Sequence, residues 1–269
     1  ANISICEDCG HTQIHYNSCR NRCCPMCQAL PKEMWMDKRR EDVLDAPYFH
    51  IVFTVPQELN PLIYSNQQLL YDTLYHSVSA TINELTADTK HLGAKVGYIC
   101  VLHTWGSEMN FHPHIHVILL GGGLTAKNQW RDKGKEFFLP VKVLSKLFQG
   151  KYLDELKILW EENKLQFHGS SVKYRNHYAF KELLNTCYEK DWIPHCKKTF
   201  NGAQSVINYL GKYTHRIAIS NHRIIRMDEN TVTYYVKDYR EKGKWKEFTI
   251  SGVEFIRRFL MHVPPKRFV

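Results

Sequence analysis

Two histidines separated by a single residue, His114 and His116, stand in the mostly apolar run from 111 to 120. Side chains alternate between the two faces of a β-strand, so a strand here would direct both imidazoles to the same side. Two neutral nitrogen ligands on one strand can hold a divalent metal and leave coordination positions open, as a catalytic site requires. The alternative is a pair of strand histidines that hydrogen-bond to nearby carbonyl groups or water.

Two tyrosines, Tyr209 and Tyr213, lie four residues apart in a segment predicted to be a short helix that begins after Gly202. Residues at this spacing share one helix face. A tyrosine hydroxyl has an unperturbed pKa of about 10, so its attack on a phosphodiester at neutral pH needs a metal that polarises the phosphate. The alternative is that both rings pack in the interior, as aromatic side chains commonly do.

The tyrosine segment lies in a basic part of the chain. From Trp192 to Met227 there are six Lys or Arg residues and no Asp or Glu. Such a stretch suits a phosphate backbone. We therefore predict DNA contacts for Lys197, Lys198, Lys212, Arg216 and Arg223. Three aromatic residues, Trp105, Phe111 and Trp192, are candidates for stacking on the bases of single-stranded DNA, although each could equally be a core residue.

With both segments in view, the sequence resembles the HUH superfamily of transposases, and within it the insertion-sequence-ninety-one (IS91) family of rolling-circle transposases. The matching residues are Leu102-His103-Thr104-Trp105-Gly106, Asn110-Phe111-His112-Pro113-His114-Ile115-His116 followed by Gly121-Gly122-Gly123, and Tyr209-Leu210-Gly211-Lys212-Tyr213-Thr214-His215-Arg216 continuing to Ile224. The histidine-hydrophobe-histidine motif falls on His114, Ile115 and His116. The nucleophilic tyrosines of the family fall on Tyr209 and Tyr213.

The resemblance implies an enzyme that cleaves single-stranded or hairpin-bearing DNA at element ends through a 5′-phosphotyrosine and transfers strands in rolling-circle-like transposition. A rolling-circle replication initiator would use the same chemistry, but the cysteine-rich N-terminus and the Tyr-Leu-Gly-Lys-Tyr-Thr context favour the transposase. A catalytically silent, zinc-dependent DNA-binding relative is a further alternative. Such a relative should have lost a motif histidine or tyrosine, and this chain retains all four.

A catalytic metal needs more than two histidine ligands. HUH enzymes recruit a third ligand from a neighbouring strand or from the tyrosine helix. The candidates here, in falling order, are His103, His50, Gln204 and His112. Imidazole ligands combined with phosphate oxygens favour magnesium or manganese as the catalytic ion.

Six of the nine cysteines fall within the first 27 residues. Cys6 with Cys9, and Cys24 with Cys27, form two CxxC pairs at a spacing typical of a zinc ribbon. The same pattern could form disulfides in an oxidising compartment, but the sequence shows no export signal, so structural zinc is favoured. Additional or alternative ligands could come from Cys19, Cys23 and His11.

The composition agrees with a DNA-binding protein without establishing one. The chain has 269 residues and a formal net charge of +9, which suits a nucleic-acid partner but can also serve solubility. Its apolar runs are too short to cross a bilayer. We therefore expect a bacterial cytoplasmic protein, associated with the nucleoid when it acts, and no membrane partner. The oligomeric state is not indicated by the sequence.

The predicted architecture is α+β. Residues 1–45 are expected to form a small zinc-ribbon-like domain with a connecting helix over 31–44, and residues 46–269 the HUH domain, with a basic insertion at about 124–200. Strands are predicted at 48–55 and 96–103, followed by the histidine strand, which Gly121 to Gly123 should end. Helices are predicted near 69–85 and 143–160. A strand meander over 223–250 precedes a final helix at 253–262, which Ser251 and Glu254 should cap. The antiparallel sheet then carries the histidines on its central strand, with the tyrosine helix across them.

Overall fold

The computed structural model describes residues 2–15, 17–18, 24, 27–134, 139–199, 211, 218–238, 241 and 243–263. Ten strands and six helices are labelled here in chain order. The strands are β1 (Asn2–Ile5), β2 (Thr12–His15), β3 (Tyr48–Thr54), β4 (Lys95–Trp105), β5 (Phe111–Leu124), β6 (Trp130–Asp132), β7 (His195–Thr199), β8 (Ile224–Met227), β9 (Thr231–Asp238) and β10 (Lys244–Ser251). The helices are α1 (Ala29–Arg40), α2 (Asn60–Ser65), α3 (Gln67–Ala87), α4 (Val141–Glu161), α5 (His177–Glu189) and α6 (Gly252–Leu260).

The principal sheet is antiparallel, with strand order β4-β5-β3-β7 and β6 paired to the far end of β5. The predicted α+β class and the interior position of the histidine strand are therefore confirmed. One face of the sheet is apolar because alternate residues of β3 and β5, such as Phe49, Ile51, Ile115 and Val117, are fully buried. Helices α3 and α4 pack together and contribute to the same core.

The segment at 124–200, interpreted from sequence as an elaboration, supplies a layer of this core. Leu144, Phe148 and Tyr152 of α4 are completely buried, and β7 adds a strand to the sheet next to β3. Trp192, a candidate for base stacking, packs against Phe148 and Tyr152 with ring centroids 5.4 and 5.9 Å apart. The interpretation of Trp192 as a DNA contact is therefore wrong, because its ring is buried in this core.

The glycine run at 121–123 does not end β5, contrary to the prediction. Strand β5 continues to Leu124, and Gly123 pairs with Val96 on one side and with Arg131 of β6 on the other. A Cβ atom at Gly123 would overlap the backbone carbonyl of Lys95. Glycine is required at this position because the backbone of β4 approaches it closely.

The opposite face of the sheet carries the histidines at one end and meets α1 at the other. Ile118 of β5 packs against Trp35 of α1, and Tyr48 and Ile99 of the adjacent strands join that cluster. Helix α1 begins at Ala29 and ends at Arg40, so it lies a few residues earlier than predicted. It thus connects the cysteine-rich segment to the sheet face that carries the histidines.

The C-terminal part forms a second antiparallel sheet, β10-β9-β8, with α6 packed on it. The strands and the helix fall close to their predicted positions. The Ser251 hydroxyl accepts a hydrogen bond from the Glu254 backbone N–H at 3.2 Å, so Ser251 caps α6 as predicted. The Glu254 carboxylate does not complete a capping box; it accepts hydrogen bonds from Arg257 and Arg258.

No helix in the part of the chain that the structure describes is both long and apolar enough to cross a membrane.

Candidate metal centre

Three histidines from two neighbouring strands converge on the polar face of the principal sheet. His103 of β4 lies directly opposite His114 of β5 in the strand register, and His116 follows two residues further along β5. One ring nitrogen from each of the three lies within 4.8 Å of the others. The Nε2 atoms of His114 and His116 are 3.1 Å apart, so both rings present the same nitrogen to the space between them.

The remaining ring nitrogens of the two β5 histidines each have a fixed partner. The Nδ1–H of His114 donates to the carbonyl oxygen of His112 at 2.7 Å. The Nδ1 of His116 lies 2.8 Å from the Nε2 of His50 on β3. Metal-binding histidines usually have a hydrogen bond of this kind, which fixes the tautomer and turns the other nitrogen toward the ion. The donor set therefore fits a divalent metal.

His103 is the most deeply placed of the three, with 2% of its surface exposed. Its ring stacks on Trp105 with centroids 4.6 Å apart and an angle of 20° between the planes. The indole of Trp105, a candidate for DNA stacking, therefore supports a candidate ligand. His114 and His116 are half-buried. Three imidazoles occupy at most three coordination positions, so oxygen ligands from a substrate or water could fill the rest.

The tip of the hairpin that joins β4 to β5 is fixed by the C-terminal sheet and α6. The backbone carbonyls of three successive residues at the tip, 107–109, accept hydrogen bonds from that unit. The donors are Arg223 to Ser107 (2.6 Å), Tyr234 and Arg258 to Glu108 (3.1 and 2.8 Å), and His262 to Met109 (3.0 Å). Met109, which has a positive φ of 56°, is fully buried there. The two strands that carry the histidine triad are thus held together at their tip.

His262 hydrogen-bonds to two residues of this hairpin. Its Nε2–H donates to the Met109 carbonyl, and its Nδ1 accepts from the Thr104 hydroxyl at 3.0 Å. The ring is 6% exposed and faces Phe111 at an angle of 6°, with centroids 6.5 Å apart. Burial lowers the pKa of His262 from its ordinary value, although the hydrogen bond to Met109 opposes that shift.

The same sheet face carries further basic side chains. Lys197 and His195 of β7 lie opposite His50 and Val52 of β3, so both are on the face that holds the triad. Lys197 is exposed, which is consistent with its predicted role in DNA binding. Lys198 occupies the alternate register position, opposite Phe49. The predicted DNA contacts Lys212 and Arg216 lie outside the described residues.

Arg223 does not fit its predicted role as a DNA contact. The residue is 8% exposed, and its guanidinium donates to the carbonyl of Tyr235 (2.9 and 2.7 Å) as well as to that of Ser107. A buried guanidinium whose donors face backbone carbonyls is not available to phosphate. The sequence shows that Arg223 carries a positive charge. It does not show which way the guanidinium points, because that depends on a contact with a hairpin distant in the chain.

Among the candidates for a third ligand, the structure places His103 next to His114 and His116. It gives His50 and His112 different roles. His50 contacts the outer nitrogen of His116, and the backbone of His112 orients His114. Gln204 lies outside the described residues. The role of His50 was missed because it depends on strand pairing: β3 had to lie beside β5 for position 50 to reach His116. No local sequence signal indicates that register.

The two tyrosines at 209 and 213 also lie outside the described residues. Gly211, between them in the sequence, is described and buried. It lies against α1: a Cβ atom at Gly211 would overlap the sulfur of Met36 and lie 3.3 Å from the Cε of Lys32. The middle of the tyrosine segment is therefore next to α1.

The N-terminal cysteine pairs are described only in part. Backbone N–H groups of Cys9 and Asp8 lower the pKa of the Cys6 thiol, as expected where a CxxC turn directs amides at a metal-binding sulfur. Cys6, Cys9 and His11 are exposed, and the sulfur of Cys27 lies 3.2 Å from the Ser18 hydroxyl. Cys19 and Cys23 lie outside the described residues. Within the described ranges, the residues close enough to share one metal ion are the three histidines, so the zinc ligand set stays a prediction.

Two family models match the sequence. Residues 97–269 match a family described as "Putative transposase", and residues 1–55 match the "Transposase zinc-binding domain" of the IS91 type. Both the histidine triad and the two tyrosines fall within the first match, and both CxxC pairs fall within the second.

Individual relatives agree with these matches. The chain is 40% identical over 267 residues to the "Putative transposase y4qJ" of Sinorhizobium fredii, covering 99% of this chain and 67% of that protein. It is 27% identical over 263 residues to the "Transposase for insertion sequence element IS801" of Pseudomonas savastanoi pv. phaseolicola, covering 97% and 62%. The chain thus spans about two thirds of the length of these relatives.

Among solved structures, the chain is similar to the conjugative relaxase TrwC in complex with oriT DNA. The TM-score is 0.34 at 17% sequence identity, over 42% of this chain and 44% of the relaxase chain. A second structure of the same relaxase, in a copper-bound form, gives a TM-score of 0.33 at 13% identity over 60% and 68% of the two chains.

Proposed function

Because this chain belongs to the IS91 family of transposases, we propose that it cleaves single-stranded DNA at element ends with a tyrosine nucleophile and transfers the resulting strand. The observation that carries this proposal is the convergence of His103, His114 and His116 on one face of an antiparallel sheet. Three imidazoles with open coordination positions suit an ion that also binds a phosphate oxygen.

We propose that the triad holds manganese or magnesium. When bound, such an ion would polarise the scissile phosphate and stabilise the negative charge that develops on it. The protein residues around it keep the ligands in place: His112 and His50 orient the two β5 histidines, and Trp105 supports the third. Manganese fits the donor set better than magnesium, because three nitrogen ligands suit a transition metal and magnesium prefers oxygen.

Tyr209 or Tyr213 is the proposed nucleophile. The phenolic oxygen forms a bond to phosphorus, and the bond from phosphorus to the 3′ oxygen breaks. The phenolic proton is lost and the departing 3′ oxygen gains a proton. The products are a 5′-phosphotyrosine and a free 3′-hydroxyl, so the energy of the phosphodiester is kept for strand transfer. With a second tyrosine four residues away, the enzyme could hold two strand ends in turn.

The DNA backbone would lie over the polar face of the sheet. Exposed Lys197 places a positive charge on this face, and that charge suits phosphate. Lys212 and Arg216 are proposed to extend the contact. Lys198 and Arg223 are not, because Lys198 occupies the alternate register position and Arg223 is buried. A single strand is favoured because its phosphates can reach a tyrosine without interference from an opposing strand.

The first 45 residues are proposed to hold structural zinc through Cys6, Cys9, Cys24 and Cys27. Four thiolates would saturate a tetrahedral zinc ion and leave no position for water or substrate. The role of this zinc would therefore be to fold the N-terminal module and not to catalyse the reaction.

Cleavage of labelled DNA from an element end tests the proposal. The chain is mixed with the single strand, or with the same sequence as a duplex, in the presence of Mn²⁺ or EDTA. The proposal predicts nicking of the single strand that requires Mn²⁺ and is lost in His114→Ala, while His76→Ala, an exposed histidine on α3, retains it. Equal cleavage in EDTA, or by His114→Ala, would contradict the proposed role of the metal.

A further inference from the structure

His50 lies beside the histidine triad without belonging to it. It stands on β3 with 6% of its surface exposed, and its ring is nearly parallel to that of His116, at 7° with centroids 5.1 Å apart. Its Nε2 is 2.8 Å from the Nδ1 of His116, the nitrogen that faces away from the space between the triad members. His50 therefore contacts a candidate ligand from behind.

The protons on these two rings can be assigned from the geometry. The Nε2 of His116 faces the Nε2 of His114, so it must keep a free lone pair if it is to bind a metal. A neutral His116 then carries its proton on Nδ1 and donates it to His50. The Nε2 of His50 must accept, so the proton of His50 is on its Nδ1 and the ring is neutral.

The surroundings of His50 favour the neutral form. The residue is 6% exposed, so a charged imidazole at this position would lose most of its hydration. Lys197 is the register partner of His50 on β7. A carboxylate here would interact favourably with Lys197, but the chain has an imidazole at this position.

We propose that His50 is a positioning residue for the proposed metal centre: its neutral ring accepts the Nδ1 proton of His116 and so fixes the orientation and tautomer in which His116 binds the ion. This inference rests on the proposed function. Metal-binding histidines often donate to a carboxylate or a backbone carbonyl. A neutral acceptor adds no negative charge, so the full charge of the ion remains available to the scissile phosphate.

The affinity for Mn²⁺, measured by titration calorimetry on the whole chain near neutral pH, tests this role without requiring catalysis. His50→Leu removes the acceptor and keeps an apolar side chain in the buried site. His50→Gln keeps an acceptor, because its amide oxygen can reach the position of the imidazole Nε2. The matched control is His195→Leu, which removes an imidazole from the same face on β7, two strands away from β5.

We expect His50→Leu to weaken Mn²⁺ binding about 10- to 100-fold, as loss of a hydrogen-bond partner behind a ligand typically does. His50→Gln and His195→Leu should bind within about threefold of the unmodified chain, since neither removes that hydrogen bond. The ¹⁵N shifts of His116 without metal should show its proton on Nδ1, and in His50→Leu the two tautomers should become mixed.

Two results would overturn the inference. Unchanged Mn²⁺ affinity in His50→Leu would show that His116 needs no such partner. An equal loss in His50→Gln and His50→Leu would show that the shape of the imidazole matters and its acceptor does not. If the unmodified chain binds no divalent ion, the proposed metal centre itself fails; that result differs from intact binding that is insensitive to His50.

Discussion

The guanidinium of Arg223 donates a 2.6 Å hydrogen bond to the carbonyl oxygen of Ser107, a residue 116 positions earlier in the chain. Ser107 lies at the tip of the hairpin whose two strands carry the histidine triad. The C-terminal sheet is therefore attached to the strands of the histidine triad through the backbone of this hairpin. Replacement of a side chain that hydrogen-bonds to the hairpin tip should therefore change the stability of the fold more than it changes the affinity for DNA.

Arg223→Ala should lower the free energy of unfolding by about 2–4 kcal/mol, because it leaves partly buried carbonyl groups without their charged donor. Urea denaturation of the unmodified protein and of Arg223→Ala measures the difference in the free energy of unfolding. Arg226→Ala is the matched control. Arg226 is exposed and pairs with Glu247 at 3.6 Å, so its loss should cost less than about 1 kcal/mol. Unchanged stability of Arg223→Ala together with weaker DNA binding would instead restore the prediction that Arg223 contacts DNA.

Lowering the pH should weaken the attachment of the hairpin through His262. Its pKa is lowered in the folded chain, so below about pH 6.5 the unfolded chain binds more protons than the folded one. Stability is therefore greatest above that pH and falls as the pH decreases toward the folded pKa, because protonation of Nδ1 removes the Thr104 hydrogen bond. Buried His50 and His112 contribute in the same direction.

The contribution of His262 is isolated by a comparison of unfolding free energies at pH 7.5 and 5.5. His262→Gln should reduce the loss of stability between these two pH values. An identical pH dependence in His262→Gln and the unmodified chain would show that His262 does not titrate differently on folding.

Substitutions at Gly211 and Met36 should have coupled effects on the free energy of unfolding. Alanine usually stabilises a helical glycine position by about 0.5–1 kcal/mol. At Gly211 the new methyl group would overlap the Met36 sulfur, so we expect Gly211→Ala to be destabilising. In a Met36→Ala background the overlap is gone and the same change should be stabilising. Gly150→Ala on α4, where a Cβ has free space, should stabilise both backgrounds equally.

This coupling also bears on the nucleophiles. Residues 209 and 213, the proposed nucleophiles, are each two positions from Gly211 in the sequence. If α1 supports the tyrosine segment, the rate of DNA cleavage should fall in Gly211→Ala and recover when Met36→Ala is added. If the effects of Gly211→Ala and Met36→Ala on the free energy of unfolding are additive, and the cleavage rate does not recover in the double variant, Gly211 does not contact α1 as described.

Much of the fold was predictable from local patterns. The alternation in β5 correctly placed His114 and His116 on one face. The predicted antiparallel sheet agrees with the pairing of β4 and β5, which brings His103 opposite His114. Ser251 identified the start of α6. These features depend on residues close together in the chain, where side-chain period and turn chemistry act directly.

Features that depend on distant pairing were not predictable. His50 reaches His116 only because β3 lies beside β5, and Arg223 is buried only because a hairpin more than a hundred residues away provides carbonyl groups for it. Trp192 has an aromatic ring that could stack on a base, but the ring is buried against Phe148 and Tyr152 of α4. In each case the residue type was visible, and its role was determined by a partner from another part of the chain.

The identity of the metal is tested by calorimetric titration with Mn²⁺ and Mg²⁺. Because the triad offers nitrogen and no carboxylate, Mn²⁺ should bind at least about tenfold more tightly than Mg²⁺. His103→Ala and His114→Ala should each abolish the Mn²⁺ binding that the triad provides. Retained binding in both variants would place the metal elsewhere in the protein.

The most direct test of the central claim is a search for a covalent link between tyrosine and DNA. Single-stranded DNA from an element end, labelled on the 3′ side of the cleavage site, is incubated with the chain and Mn²⁺ and separated on a denaturing gel. Parallel samples contain Tyr209→Phe, Tyr213→Phe or both changes. We predict an adduct that requires Mn²⁺, survives denaturation and is absent from the double variant. An adduct of undiminished yield in the double variant, or DNA cleavage without any adduct, would contradict the proposed mechanism.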